Sequence, residues 1–302
     1  MKNNLECVAY LFEASGLPKL DFETVTLVNF AFAIPTPEGH VRPLDNPALA
    51  RAAVEAAHRA RRKACLSLGG WCYEEIVLEP TFRQATDTPA KREQLAQEIC
   101  ALAELYDFDG VDIDWEYPRV SDGSKGQYED FLRKLRTLLP QGEKLLTTAI
   151  LAGLNSKGEP ITDAAEAIDA PALALLDRVN LMTYDCDGPI HSSYAFAEEC
   201  LNYWLDTRHF PPEKLTLGLP FYGRPFPGAF KELLKQDPEA LEKDMVEMPH
   251  GKVYYNGRET LQKKVRLAKR RGLAGIMFWE MSLDTDDREK SLLKVLGDAA
   301  AE

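Results

Sequence analysis

The chain has 302 residues, of which 45% are hydrophobic and 28% charged, a length and composition typical of a single globular α/β barrel. Its 48 acidic and 36 basic side chains give a formal net charge of −12. We therefore expect neither a nucleic acid nor an anionic membrane as a partner, because both require a basic surface, whereas a neutral polysaccharide is compatible with this charge.

The first sixteen residues do not have the pattern of a signal peptide. They contain one lysine, and their apolar stretch is interrupted by Glu6 and Glu13. No apolar run approaches the roughly 18 residues needed to span a bilayer. The six cysteines form no CxxC pair and the five histidines are scattered, so we predict small buried thiols, no metal site and no cofactor.

Short apolar runs alternate with longer helical stretches along the chain. The predicted strands are 7–12, 25–33, 64–69, 110–115, 145–151, 178–184, 214–220 and 274–279. The predicted helices are about 47–62, 90–106, 126–139, 164–176, 195–208, 258–271 and 287–300. This alternation indicates parallel strands joined by crossover helices. Eight repeats over this length favour a closed (β/α)8 barrel, which we expect to be one domain of residues 1–302.

Two connections depart from the repeat. Residues 13–24 contain Gly16 and Pro18 and are expected to hold only a short helical turn. Residues 222–257, between the seventh and eighth strands, are too many for a plain loop. We predict that they form a short insertion at the rim of a binding site, with a helix near 229–243.

The most informative segment is residues 107–118, DFDGVDIDWEYP. Alternation along a strand places Asp112, Asp114 and Glu116 on one face, with Glu116 nearest the C-terminal end, where such barrels have their active sites. Buried like charges repel one another and are costly to desolvate, so this cluster indicates acid–base chemistry, with Glu116 protonated near neutral pH.

Two other interpretations of these carboxylates are weaker. A solvated acidic face would require an edge strand, for which the apolar run GVDIDW is poorly suited. A magnesium site would require further ligands, because three carboxylates along one strand are too linear for an octahedron.

The segment Asp109–Glu116 matches the signature DGxDxDxE without a gap and resembles the family-18 glycoside hydrolases, the chitinase family. Ser67–Trp71 is similar to the SxGG motif of that family, and Met182–Asp185 is similar to its MxYD motif. Gly218–Arg224 resembles the segment after strand seven, and Trp279 stands where the family has a tryptophan ending strand eight. The resemblance covers nearly the whole chain.

This resemblance implies a (β/α)8 barrel that hydrolyses β-1,4 bonds next to N-acetylglucosamine. Such enzymes retain configuration without an enzyme nucleophile, because the substrate's 2-acetamido oxygen attacks the anomeric carbon. Glu116 would protonate the leaving oxygen and then activate water. Asp114 would orient the acetamido group and stabilise the oxazolinium intermediate, and Asp112 would share a proton with Asp114. Tyr184 would donate a hydrogen bond to the acetamido oxygen.

Further side chains are predicted to bind the sugar. The resemblance implies that Trp279 forms the floor of the central subsite and that Asp185 supports the pocket beside Tyr184. The remaining predicted substrate-binding residues are Tyr10, Phe32, Trp71, Met182, Tyr222 and Arg224. Trp115 and Trp204 are expected in the core, and His191, alone in a loop, is expected to be solvated.

Three functions follow, of which a chitinase-type hydrolase of N-acetylglucosamine oligomers or polymers, working as a monomer, is favoured. The second is an endo-β-N-acetylglucosaminidase acting on N-glycans or cell wall. The third is a non-catalytic chitin-binding lectin, although such relatives typically lack the glutamate found here as Glu116. Residues 222–257 are too few for the insertion subdomain of many chitinases, which implies a shallow cleft. The compartment stays open, because family habit suggests secretion whereas the N-terminal sequence and the free cysteines fit the cytoplasm.

Overall fold

Eight parallel strands form a closed barrel in a computed structural model, which describes residues 5–16 and 21–302. The barrel strands are β1 (Glu6–Phe12), β2 (Leu27–Ala33), β3 (Lys63–Gly69), β4 (Gly110–Asp114), β5 (Leu145–Leu151), β6 (Arg178–Met182), β7 (Leu215–Pro220) and β8 (Gly275–Trp279). Successive strands are neighbours, and β8 pairs with β1 to close the barrel. The predicted (β/α)8 fold is confirmed.

Most residues of the strands are buried, because one face of each strand fills the barrel and the other lies under helices. All seven residues of β2, for example, are buried. Outside the barrel, Trp115 stacks on Phe82 with ring centroids 5.0 Å apart. The indole of Trp204 is also buried and donates a hydrogen bond to the carbonyl of Ala152 at 2.9 Å. The predicted core positions of both tryptophans are confirmed.

Helices surround the barrel. They are α1 (Pro47–Arg59), α2 (Glu79–Ala85), α3 (Pro89–Leu105), α4 (Ser124–Leu138), α5 (Thr162–Ala165), α6 (Ala170–Leu175), α7 (Tyr194–Leu201, continued by a π-helical turn to Thr207), α8 (Phe230–Gln236), α9 (Arg258–Arg270) and α10 (Leu292–Ala301). Asn46, Thr88 and Ser193 cap α1, α3 and α7, since each side chain accepts a hydrogen bond from an amide three residues on. None of the helices in the described ranges is long and apolar enough to cross a membrane.

Several helix predictions are wrong in extent. The predicted helix 164–176 is divided into α5 and α6, because Asp169 caps a new helix by accepting from the amide of Ala172 at 3.2 Å. Likewise α10 begins only after its cap, Ser291. The short helix α2 was not predicted. The expected turn after β1 is a 3-10 turn over Glu13–Ser15, while residues 17–20, with Pro18, lie outside the described residues.

The strands that carry the predicted site end earlier than expected. β4 ends at Asp114 rather than at residue 115, and β6 ends at Met182 rather than at residue 184. Glu116, Tyr184 and Asp185 therefore lie in the loops that follow their strands, at the C-terminal end of the barrel. Loops at this end are where barrel enzymes hold the groups that react with substrate.

The rim segment 222–257 is built from three short elements. They are α8, a 3-10 turn at Ala240–Glu242 and an antiparallel hairpin of Met245–Met248 with Gly251–Tyr254. The predicted helix 229–243 is too long, since Pro238 cannot donate the hydrogen bond that would continue it. The hairpin was not predicted. Its second strand is joined to the end of β7 by two backbone hydrogen bonds between Arg224 and Tyr254, each 2.9 Å.

The N-terminal ends of the strands are held by carboxylates. Asp109, just before β4, accepts hydrogen bonds from the amide of Ala64 at 2.8 Å and from His58 Nε2 at 3.0 Å. Asp177, just before β6, accepts from the amide of Leu146 at 2.9 Å and from Arg136 at 2.6 Å. The first aspartate of the signature thus joins neighbouring strands at the end of the barrel opposite Glu116.

The glycine of the signature should be essential for strand pairing. A Cβ at Gly110 would lie 2.2 Å from the carbonyl oxygen of Leu145 on β5. We expect Gly110→Ala to lower the free energy of unfolding by about 2 kcal/mol, as overpacked cores do, measured by urea unfolding. The control is Gly126→Ala on α4, where a Cβ would meet nothing within 4 Å and should stabilise by up to about 1 kcal/mol. Equal effects of the two changes would contradict this account.

Candidate active site

The three carboxylates of the signature lie along β4 and the loop after it. Asp112 is fully buried inside the barrel, and Asp114, two residues further on, is nearly so. Glu116 lies beyond the end of the strand and is half-buried. The series therefore runs from the interior of the barrel to its mouth, in the order expected from the alternation of side chains along a strand.

Asp112 is surrounded by hydrogen-bond donors. Burial raises the pKa of this carboxyl, while the donors around it lower the pKa by stabilising the ionised form. The donors are Tyr10 Oη at 2.8 Å, Ser67 Oγ at 2.8 Å, Thr147 Oγ1 at 2.5 Å and Asn180 Nδ2 at 3.3 Å. They come from β1, β3, β5 and β6, so four strands supply donors to this carboxyl, although burial outweighs them and the pKa of Asp112 is raised overall.

Asp114 has the opposite environment. Its Oδ1 is buried and has no hydrogen-bond partner among the described residues. Burial, followed by the charges of Glu116 and Asp112, raises the pKa of Asp114 well above its usual value. When Asp112 is ionised, Asp114 therefore carries a proton and is neutral.

Glu116 is poised to titrate near neutrality. Burial raises its pKa to about 7; the hydroxyl of Tyr117, which donates to Oε2 at 2.9 Å, acts to lower the pKa, and the charge of Asp185 acts to raise it. A carboxyl with this pKa is protonated in a large fraction of molecules at pH 7 and can return to the ionised form readily. These are the properties of a general acid that must later act as a base.

Tyr184 lies close to the carboxylates and keeps its proton. Burial, followed by the charges of Asp114 and Glu116, raises the pKa of the phenol well above its usual value. Among the residues that the structure describes, the one hydrogen-bond partner of this hydroxyl is the thioether sulfur of Met277, 3.7 Å away, which is a weak acceptor. The phenolic hydrogen is therefore free for a better acceptor, such as an amide oxygen.

Aromatic rings form a platform at the barrel mouth. Trp279 stacks on Phe32 with ring centroids 5.6 Å apart and an interplanar angle of 16°, so these two predicted residues are brought together. Phe12, which the sequence analysis missed, lies 6.1 Å from Trp279 and is 36% exposed. It could have been found, because it is two residues from Tyr10 and shares its strand face.

Tyr10 differs from its predicted role as a substrate contact. It is 1% exposed and lies beside Trp279, with ring centroids 5.6 Å apart. Its hydroxyl is already engaged with Asp112. The side chain therefore supports a carboxylate below the platform instead of lining the open surface.

Two side chains, Arg224 and His191, hold the carboxylate of Asp185. Its Oδ1 accepts from Arg224 Nε at 2.9 Å and lies 3.2 Å from His191 Nδ1. Although burial opposes ionisation, the hydrogen bond with His191 and the charge of Arg224 lower the pKa of Asp185. Tyr222 is buried against His191, with ring centroids 5.1 Å apart, and edge-on to Tyr184.

The prediction that His191 is a solvated loop side chain is wrong. The residue is 1% exposed. Its Nε2 lies 3.3 Å from the carbonyl oxygen of Tyr222, and its Nδ1 lies 3.3 Å from the amide nitrogen of Asp185. A buried imidazole with both nitrogens engaged is part of the wall beside Asp185.

A cavity of about 250 Å³ lies at the C-terminal ends of β5 and β6. It is lined by Met182, Tyr184, Asp185 and Tyr117, together with apolar residues at the end of β5. A larger depression of about 1200 Å³ between α8 and α10 is lined by none of the predicted site residues. The smaller cavity is therefore the one that contains predicted site residues.

Trp71 is not one of the packed rings of Trp279, Phe32 and Phe12. It follows β3 at the rim and is 56% exposed, which leaves most of its indole open to a ligand. No group of three or more metal-ligating side chains occurs in residues 5–16 and 21–302.

Comparison with known proteins places the chain in a family. The glycosyl hydrolases family 18 model matches residues 6–284. Chitinase B of Serratia marcescens is 26% identical over 394 residues, covering 94% of this chain and 78% of that protein. A chitinase-like effector of Moniliophthora roreri is 29% identical over 235 residues, covering 70% of this chain, which spans 55% of the effector's length.

Solved structures agree. The crystal structure of a chitinase from Bacteroides thetaiotaomicron superposes with a TM-score of 0.82 at 27% identity, covering 98% of this chain and 96% of that one. The family match, which spans all eight barrel strands, and this agreement over the whole fold lead to one conclusion. The chain belongs to family 18 of the glycosyl hydrolases.

Proposed function

We propose that this protein is a chitinase-type hydrolase that cleaves β-1,4 bonds in N-acetylglucosamine oligomers or polymers with retention of configuration. The observation that carries the proposal is Glu116, a half-buried carboxyl whose pKa of about 7 suits a general acid. It follows two interior carboxylates and lies at the mouth of the barrel. Membership of a chitinase-containing family supports the same substrate class.

The environment of the other carboxyls argues against an enzyme nucleophile. A retaining hydrolase with two carboxyls needs one of them ionised and free to attack the sugar. Asp114 is a poor nucleophile because its raised pKa keeps it protonated. Asp185 is ionised but engaged by Arg224 and His191. Attack by the 2-acetamido oxygen of the substrate, which the family resemblance implies, requires neither.

In the first step Glu116 donates its proton to the glycosidic oxygen as the bond to the anomeric carbon breaks. The acetamido oxygen forms a new bond to that carbon and gives an oxazolinium ion. Tyr184, whose hydroxyl has only a thioether partner, donates to the acetamido oxygen and holds it in place. Transfer of the proton of Asp114 to Asp112 leaves a negative charge beside the cationic ring.

In the second step the ionised Glu116 takes a proton from a water molecule. The water oxygen attacks the anomeric carbon from the side that the leaving group has vacated, and the bond to the acetamido oxygen breaks. Two inversions at the same carbon retain its configuration, and Glu116 regains its proton. A pKa near 7 serves both steps, since the group must donate and accept a proton at the same pH.

The aromatic platform supports sugar binding. Trp279, Phe32 and Phe12 offer ring faces and edges at the barrel mouth, and the apolar faces of pyranose rings pack well on such surfaces. The exposed Trp71 offers a second ring at the rim. The short rim insertion 222–257 favours a shallow cleft and hence short or open chains, in place of a deep tunnel.

Two other functions are distinguished by what the protein does to defined ligands. An endo-β-N-acetylglucosaminidase would release glycans from glycoproteins, or cleave cell wall, in preference to chitin. A non-catalytic lectin would bind N-acetylglucosamine oligomers without cleaving them. The retained Glu116, with its raised pKa, favours catalysis over binding alone.

Replacing the proposed acid should abolish turnover. We expect Glu116→Gln to lower kcat on chitooligosaccharides by about 10²–10⁴-fold, because glutamine cannot donate the proton. Products are measured by chromatography, and Glu55→Gln on the exposed face of α1 is the control. Wild-type protein that cleaves no N-acetylglucosamine polymer, including peptidoglycan and N-glycan cores, would refute the proposal.

Substitutions of Tyr117 and Asp185 should move the alkaline limb of the pH–activity profile in opposite directions. Activity requires protonated Glu116 and so falls as pH rises through its pKa of about 7. Tyr117→Phe removes a hydrogen bond to the carboxylate, so the limb should move to higher pH. Asp185→Asn removes a negative charge, so the limb should move to lower pH.

Each shift should be on the order of half a pH unit. The measurement is kcat/KM against pH, which reports the groups of the free enzyme. Both variants will also reduce the rate, so the position of the limb is the diagnostic quantity. Movement of both limbs in the same direction would show that another group governs the profile.

A further inference from the structure

A lysine is completely buried outside the proposed site. Lys264 lies on α9 and has no exposed surface. Burial lowers its pKa to about 7, while the nearby Asp244 and Cys200 act to raise it. Burying an ammonium group is unfavourable unless it is fully hydrogen-bonded, so its partners indicate what it is there to hold.

The ammonium group of Lys264 has an acceptor for each of its three protons. They are the carbonyl oxygen of Ser192 at 2.9 Å, Ser192 Oγ at 2.7 Å and Asn256 Oδ1 at 2.7 Å. Asn256 Nδ2 also donates to the carbonyl of Ser192 at 2.7 Å. We call Lys264, Asn256 and Ser192 the lysine junction.

The lysine junction lies at one end of the loop that carries Asp185. Ser192 Oγ donates to the carbonyl of Thr183 at 2.8 Å, so it ties the end of the loop to its beginning. The amide of Cys186 donates to the carbonyl of His191 at 3.1 Å across the loop. His191, next to Ser192 in the chain, is the residue whose ring contacts Asp185.

Asp185 needs such support because of its backbone. Its φ of 59° lies in the left-handed region, which a residue with a Cβ avoids by about 1–2 kcal/mol. A conformation of this kind persists only where surrounding contacts impose it. Arg224 and His191 supply contacts to the side chain, and the lysine junction fixes the segment from which His191 projects.

We propose that Lys264 is a positioning residue: through Ser192 and His191 it fixes Asp185 relative to Glu116. The inference rests on the proposed function, since it concerns the same acid. Glu116 is faced by Asp114, Tyr117, Tyr184 and Asp185. Of these, only Tyr184 and Asp185 follow β6 on the loop that the junction closes.

Lys264→Met separates this role from simple packing. Methionine keeps the length of the apolar stem, and replacing a buried charge by an apolar group is often neutral or even stabilising. The matched control is Lys263→Met, since Lys263 precedes it on the same helix but is exposed and paired only with Glu259. Lys264→Met removes the lysine junction, whereas Lys263→Met leaves it intact.

We expect Lys264→Met to lower kcat/KM by about tenfold to a hundredfold, as small displacements of catalytic groups do. The alkaline limb of the pH profile of Lys264→Met should move to lower pH, as in Asp185→Asn, because Asp185 no longer lies where it raises the pKa of Glu116. The double variant Lys264→Met/Asp185→Asn should show no further movement of the limb. Lys263→Met should match the wild type in both quantities.

A second measurement does not depend on activity. Hydrogen exchange at the amide of Cys186 should become faster in Lys264→Met and stay unchanged in Lys263→Met, because this amide is bonded across the loop. Asn256→Ala, which removes one partner of the ammonium group, should show smaller changes of the same sign and serves if Lys264→Met does not fold.

The possible failures can be told apart. An inactive wild type with altered exchange in Lys264→Met would refute the proposed hydrolysis and leave the positioning claim standing. An active wild type whose limb and exchange are the same in Lys264→Met and Asn256→Ala would overturn the positioning claim alone. A limb shift that adds to that of Asp185→Asn would also overturn it, since Lys264 would then act by another route.

Discussion

The site depends on one buried acidic group, the carboxyl of Asp112. Four side chains on four strands donate hydrogen bonds to it, so the barrel can hold an ionised group in its interior. Burial, followed by the charges of Glu116 and Asp112, raises the pKa of Asp114, two residues further along β4. Burial likewise raises the pKa of Glu116, at the mouth, to about 7. The titration of the carboxyls along β4 thus depends on how deeply the barrel buries each one, as well as on where it places hydrogen-bond donors.

Within the signature Asp109–Glu116, the residues at one end of the barrel serve strand pairing, and those towards the other end form the proposed site. Asp109 and Gly110 lie where β4 begins, and they serve strand pairing: Asp109 accepts from the amide of Ala64 in β3, and Gly110 allows β5 to approach closely. Asp112, Asp114 and Glu116 follow in the same eight residues and end at the opposite face. Within one motif of eight residues, the first two therefore join strands and the last reaches the mouth of the barrel.

The sequence was sufficient for the barrel and for the carboxylate series, because both are periodic: strands recur with helices, and side chains alternate along β4. It was insufficient for features made by residues far apart in the chain. Nothing in the local pattern distinguishes Thr147 or Asn180, which bind Asp112, from other polar residues in strands. A loop histidine also looks the same in sequence whether it is solvated or, like His191, buried beside Asp185.

The short insertion 222–257, before β8, supports the residues that hold Asp185. Its last residues hold both partners of Asp185. The backbone of Tyr254 pairs with that of Arg224, and the side chain of Asn256 binds the carbonyl of Ser192, which follows His191 in the chain. Lys264, in the helix that comes next, completes the same connection. The segment thus contributes to the contacts that hold Asp185, a charge that acts on the pKa of Glu116.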